Sequence, residues 1–408
     1  MKQNKKKIIG DFSYNLLSSF LATGVLQIVV YPVLARVFDA SAYGILLTVM
    51  GIVNTISVSV GNTLNNTRLI QNADYEEKGE CGDFNLIILC TSIIGAIAIW
   101  IIGKSMFGLS AITNGLMFVL VFLMAIRAYY IVAFRIVLDF KSNFICNVCV
   151  SVGYLVGIIA VLMTKQWPLV FIFSEIGGLI WIYRNTSLHK ESYKLTQLFK
   201  PTMSKFVMLF IVAVSTNVML YLDRMVIFPI LGSDSVSIYT VAVFFGKTLG
   251  IVMTPIASVL LGYFSQKDYK MDLKHFWQTN AIVLITAVVF MLFSVVAAPI
   301  ATKILYPTFY VQARPYIFYA NLAAVIGVVA SMAQPAILKF APTYWQLIKE
   351  VIYAVCYLGL GGILLNKYGL MGFCIASILA NLTKLIILYL IGSVYFSKKF
   401  KLKSVSKN

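Results

Sequence analysis

The chain carries twelve apolar stretches, each about long enough to cross a bilayer, and this excludes almost every fold except a polytopic helical membrane protein. They fall at 13–35, 43–64, 84–103, 111–134, 144–164, 168–188, 206–230, 236–261, 277–301, 315–338, 345–365 and 370–396. Residues are 60% hydrophobic and only 12% charged. Soluble domains run at about 45–50% apolar and about 25% charged. The 408 residues are mostly used by the spans, which leaves short loops and two tails and no soluble catalytic domain. The expected fold class is all-α.

Lys and Arg set the expected orientation. Of the 33, six lie in loops assigned outside (Arg36, Lys104, Lys165, Lys303, Arg314, Lys367). Four lie deep within spans, and the remaining 23 lie in the tails, the loops assigned inside and the span ends that border them, Arg184 and Lys349 among these. Such a bias places both termini in the cytoplasm. The basic N-terminus, with Lys2, Lys5, Lys6 and Lys7, opens like a signal peptide, but the apolar run after Phe12 is too long for one. It reads as an uncleaved first span. The net charge of +18 sits at span ends with no nucleic-acid-binding motif, so nucleic acid is not an expected partner.

The expected division is a basic tail at 1–12, six helices at 13–188, a cytoplasmic linker at 189–205, six helices at 206–396 and a basic tail at 397–408. A faint repeat supports two halves. Pro32 is followed by a short polar turn and Tyr43; Pro229, about half the chain later, is followed by a similar turn and Tyr239. An even number of spans between the copies implies parallel halves related by an axis along the membrane normal.

The charged residues inside spans carry the functional reading, because a charge in hydrocarbon faces a partner or a wet cavity. The set is mostly cationic: Arg127, Arg224, Lys247 and Lys384, with Glu175 and Asp223 as acidic members. Arg127 either holds a phosphate or snorkels. Lys247 is either a cavity cation or the partner of Asp223 or Glu175. Lys384, with Asn381 one turn before it, lines a cavity or bonds between helices. Asp223 and Arg224 are adjacent, so their side chains diverge by about 100° and do not both face one neighbour. Asn217 and Tyr221 make their span the most polar. Glu175 carries a coupling H+ or Na+, or serves as a counter-ion. Tyr129, Tyr130, Tyr353 and Tyr357 stack on sugar rings or pack; Trp100, Trp167, Trp277 and Trp345 read as interface anchors.

Cys146 and Cys149 have C-x-x-C spacing on an apolar helix, read as packing. No disulfide framework, metal site or cofactor is expected, and His189 and His275 read as solvated loop residues. No P-loop, G-x-S-x-G or H-E-x-x-H motif is present, so no enzyme is expected.

Several short motifs resemble one family in order and spacing. They are Gln27, Pro32, Ala35-Arg36 and Tyr43-Gly44 in the first hairpin, then Arg68. Asp223-Arg224, Leu231-Gly232, Tyr239 and Pro255 follow, then Leu305 to Tyr310 (LYPTFY) and Tyr368 to Gly372 (YGLMG). The chain is similar here to the polysaccharide (Wzx-type) flippases of the multidrug/oligosaccharidyl-lipid/polysaccharide exporter superfamily. The resemblance implies two six-helix bundles around a central cavity that opens alternately to either side. It also implies the cargo, an undecaprenyl-diphosphate-linked oligosaccharide carried to the outer leaflet of a bacterial plasma membrane, with polysaccharide polymerase machinery as a further partner. Expected substrate contacts are the four cations, with Gln27, Asn217, Tyr221 and Asn381 as polar lining. The alternatives are a lipid II flippase or multidrug exporter and, less favoured, a membrane-embedded glycosyltransferase or polymerase.

Overall fold

The computed structural model describes Leu17, Phe20–Phe264, Met271–Pro342 and Tyr344–Val405. The basic N-terminal tail lies outside the described residues. Eleven helices follow in order: α1 (Phe20–Val37), α2 (Ala40–Lys78), α3 (Asp83–Ser105), α4 (Ala111–Ile136), α5 (Phe140–Thr164) and α6 (Pro168–Asn185). Then come α7 (Phe199–Phe264), α8 (Leu273–Leu305), α9 (Pro307–Ala313), α10 (Ile317–Phe340) and α11 (Tyr344–Val405).

Nine helical segments among the described residues are long and apolar enough to cross a membrane. The other three of the expected twelve have physical explanations. α7 breaks at Gly232 (φ 79°) and α11 at Gly369 (φ 59°), so each supplies two arms. Glycine adopts these left-handed angles without a Cβ clash, and both breaks fall in turns expected from the sequence. α6 is 18 residues long and carries Glu175 and Arg184. In α11 the arms fold back on each other: Tyr357 packs edge-on against Phe373 at 5.8 Å, and the Lys384 ammonium lies 4.7 Å from the Tyr353 ring centre.

Two expectations on loops are corrected. The segment expected as a loop after residue 64 is helical. α2 runs on to Lys78, where Gly79 caps it in the left-handed conformation. Leu305 to Tyr310 is not plain loop, because Pro307 starts the short helix α9, and Tyr306 and Phe309 are buried.

Packing divides the chain into two units, Met1–Met225 and Val226–Asn408. The division falls inside α7, beyond the expected linker. In the first unit, α5 and α6 approach closely because Gly153 and Gly157 lie against the α6 backbone at Ser174 and Val170. α1 and α2 each contain a π-helical turn, at Leu26–Val30 and Asn54–Val58. The second unit has a core of Phe276, Val329, Ala333, Leu388 and Phe396 from α8, α10 and α11.

The linker expected at 189–205 is pinned to the first unit. Arg68 makes a two-toothed pair with Glu191 at 2.9 and 2.7 Å. Asn85 donates to the carbonyls of Leu188 and Glu191, each at 3.0 Å. Buried Asp83 accepts from the Thr196 amide at 2.8 Å and from the Tyr75 hydroxyl at 2.7 Å. The Tyr75 and Thr202 hydroxyls share a further bond of 2.8 Å. His189 is not simply solvated: its ring lies tilted against Tyr183 with centres 4.5 Å apart, and its Nδ1 is shielded from water. His275 is exposed and bonded to Asp272.

Candidate functional site

Arg224, on the first arm of α7, is the most enclosed cation among the four expected ones. It is 7% exposed and Asp223 beside it 5%, so the expected divergence does not leave one of them outside. Asp223 turns back and accepts the Arg224 backbone amide at 2.9 Å. The guanidinium donates through Nη1 to the Leu47 carbonyl at 2.7 Å and lies 5.6 Å from the Tyr221 ring centre. Its electrostatic neighbours are Tyr31, Asp223, Tyr221 and Tyr43. Its Nε–H is shielded from solvent and has no hydrogen-bond partner. A buried donor without an acceptor costs about 1–3 kcal/mol.

Local sequence builds this site. Gly51 lets α2 approach the Tyr221 side chain, since a Cβ there would come within 3.2 Å of it. Tyr31 follows directly on the π turn of α1, and Gly51 precedes that of α2 by three residues. Such wide turns leave backbone groups loosely paired and often border functional sites. Gln27 lies in the first of them, partly buried. Asn217, two turns before Arg224, donates to Ser59 Oγ at 2.8 Å.

Arg127 is placed differently. It pairs with Glu175 through both Nε and Nη2, the latter at 3.1 Å from Oε1. Glu175 is buried, with its side chain 3% exposed. This is the counter-ion arrangement, and Arg127 does not snorkel. Gly178, one turn after Glu175, makes room for it: a Cβ there would sit 2.6 Å from Arg127 Cδ. Replacing Gly178 with Val should lower stability by about 1–3 kcal/mol through overpacking, read as a lower thermal midpoint in detergent. An unchanged midpoint would show that Arg127 has slack.

In the second unit, Lys384 sits over one face of the partly buried Tyr353 ring. Asn381 donates to the Ala323 carbonyl at 3.1 Å, bonding α11 to α10. Lys247 is exposed on the second arm of α7. Lys349, at the start of the span expected at 345–365 and not among the buried charges expected from the sequence, has a fully buried side chain whose Nζ meets Glu350 Oε1 at 2.6 Å. Proximity to an apolar span end hid it, and only its spacing from Tyr353 and Lys384 across the hairpin marked it.

Packing decides several of the alternatives left open by the sequence. Tyr129 and Tyr130 are buried in the core of the first unit with Phe84 and Leu64, unavailable to sugars. Trp167 is a buried residue against Phe171, whereas Trp100 and Trp277 are exposed. Cys146 is buried and Cys149 partly so, both as free thiols, and no cluster of metal-binding side chains occurs among the described residues.

No family model matches the chain, and no curated protein matches it in sequence. Solved structures do match. A lipid II flippase, MurJ, in an inward closed conformation aligns with TM-score 0.67 and 16% identity over 98% of this chain and 92% of that one. An inward-facing multidrug resistance MATE family transporter of the MOP superfamily aligns with TM-score 0.61 and 15% identity over 96% of each chain. The eukaryotic MATE transporter AtDTX14 aligns with TM-score 0.62 and 13% identity over 96% of this chain and 97% of that one. The chain therefore shares the all-helical fold of MOP-superfamily transporters.

Proposed function

We propose that the protein flips an undecaprenyl-diphosphate-linked oligosaccharide from the inner to the outer leaflet of a bacterial plasma membrane by alternating access, for surface polysaccharide assembly. It is a transporter and not an enzyme on this reading, and both termini are cytoplasmic. The supporting observation is the enclosed Arg224 guanidinium, with an unused Nε–H and three tyrosines around it. A diphosphate supplies the missing acceptor, and charge-assisted bonds of this kind are the strong ones. The surplus of positive charge argues against organic cations as cargo. An apolar cavity of about 480 Å³ between Phe245 and Ile300 offers hydrocarbon contact only and no headgroup site.

The test is expression in a bacterium lacking its own repeat-unit flippase. Restored surface polysaccharide supports the proposal. Failure with several related repeat units, despite membrane insertion, contradicts it. A lipid II flippase shares the fold, so lipid II is the second cargo. Rescue of cells depleted of lipid II flippase, without rescue of polysaccharide, would favour it.

A further inference from the structure

The end of α11 that follows Tyr344 holds an arrangement that the Arg224 site does not explain. Lys384, from the return arm of the hairpin, lies 4.7 Å from the Tyr353 ring centre, and one turn before Tyr353 on the first arm Lys349 pairs with Glu350. The Lys349 side chain is 0% exposed, whereas that of its partner Glu350 is 41% exposed. Adjacent helical residues point about 100° apart and do not normally face each other. Glu350 therefore reaches inward from the open edge to meet Lys349. Lys349 alone is paired with this carboxylate, and Lys384 lies over the Tyr353 ring without a carboxylate bonded to it. One turn before Glu350, Gln346 keeps both amide atoms shielded from solvent with no hydrogen-bond partner. The site thus has a surplus cation, an unused amide and an anion that can swing out to water.

We propose that Lys349 and Lys384 form a phosphate-binding site in the second unit, and that the Glu350 carboxylate is its built-in competitor. A phosphate group displaces Glu350, bridges the two ammonium groups and accepts from the Gln346 amide. Glu350 closes the site again when the phosphate leaves. The proposal rests on the flippase reading for its natural ligand, a lipid diphosphate, and it adds a release device: a cargo held by lysines alone would leave slowly.

The experiment uses the full-length protein in nanodiscs with two probes, inorganic pyrophosphate and geranylgeranyl diphosphate. Binding is measured by titration calorimetry for wild type, Glu350→Gln, Lys384→Gln and Lys349→Met. If Glu350 occupies the site about nine-tenths of the time, its removal tightens binding about tenfold. Glu350→Gln should therefore bind more tightly than wild type, and Lys384→Gln more weakly. A gain in affinity is not a result that misfolding produces, so the proposal does not depend on how well the Lys349→Met protein folds. Tightening for both probes assigns the site to phosphate chemistry alone. Tightening for geranylgeranyl diphosphate only assigns it to a lipid headgroup. Wild-type binding with an unchanged or weakened Glu350→Gln affinity overturns this inference and leaves the flippase reading standing. No binding of either probe by any variant overturns both.

Discussion

Glu175→Gln will destabilise the protein by about 3–5 kcal/mol, the cost of leaving a buried cation without its partner. Arg127 has two of its nitrogens on that carboxylate, and Glu175 is almost wholly enclosed. The surrounding α4, α5 and α6 are apolar and glycine-packed, so little water is available to replace the lost anion. Removing both charges should be far milder, because an apolar pair of similar volume avoids the desolvation of two ions. Thermal or denaturant unfolding in mild detergent checks this. The expected order is wild type near Arg127→Met/Glu175→Met, with Glu175→Gln well below both. A single variant within about 1 kcal/mol of wild type would mean that the pair is solvated, and would return Glu175 to consideration as an ion carrier. If the double variant also transports normally, Arg127 is structural and not a headgroup contact.

Arg224→Met should show the opposite division of effects. Arg224 has no two-toothed carboxylate partner and carries an unsatisfied Nε–H. Methionine removes that unmet donor while filling similar space, so the unfolding midpoint should move far less than in Glu175→Gln. Transport should fall by about 30- to 150-fold, corresponding to about 2–3 kcal/mol for a lost buried charged hydrogen bond. Arg224→Lys should not restore it, since a lysine cannot present two parallel donors to a phosphate. Transport rates in reconstituted vesicles, beside thermal midpoints of the same preparations, separate the two effects. A collapse in stability matching the loss of transport would make Arg224 a structural residue.

The sequence showed the architecture well because a bilayer enforces it. Hydrocarbon thickness fixes span length, and Gly232 and Gly369 fell in the turns expected for them. It located Arg127 and Glu175 as buried charges but left their pairing open, since 48 residues separate them and no periodicity links them. The Arg68–Glu191 pair, 123 residues apart, was hidden for the same reason. Aromatic residues near span ends were ambiguous: Trp100 and Trp167 look alike along the chain, yet one is exposed and the other packs on Phe171. Lys349 was overlooked as a buried charge because a lysine near a span end normally reaches water. Here its side chain is fully buried and paired with Glu350.

The decisive measurement is flipping by the purified protein in proteoliposomes, scored as the fraction of labelled undecaprenyl-diphosphate oligosaccharide that reaches the opposite leaflet. Wild-type vesicles should move it well above protein-free vesicles, and vesicles with folded Arg224→Met should not. Equal rates for wild type and Arg224→Met, or no transfer by wild-type protein that is folded and inserted, would contradict a buried guanidinium as the group that carries the diphosphate through the membrane.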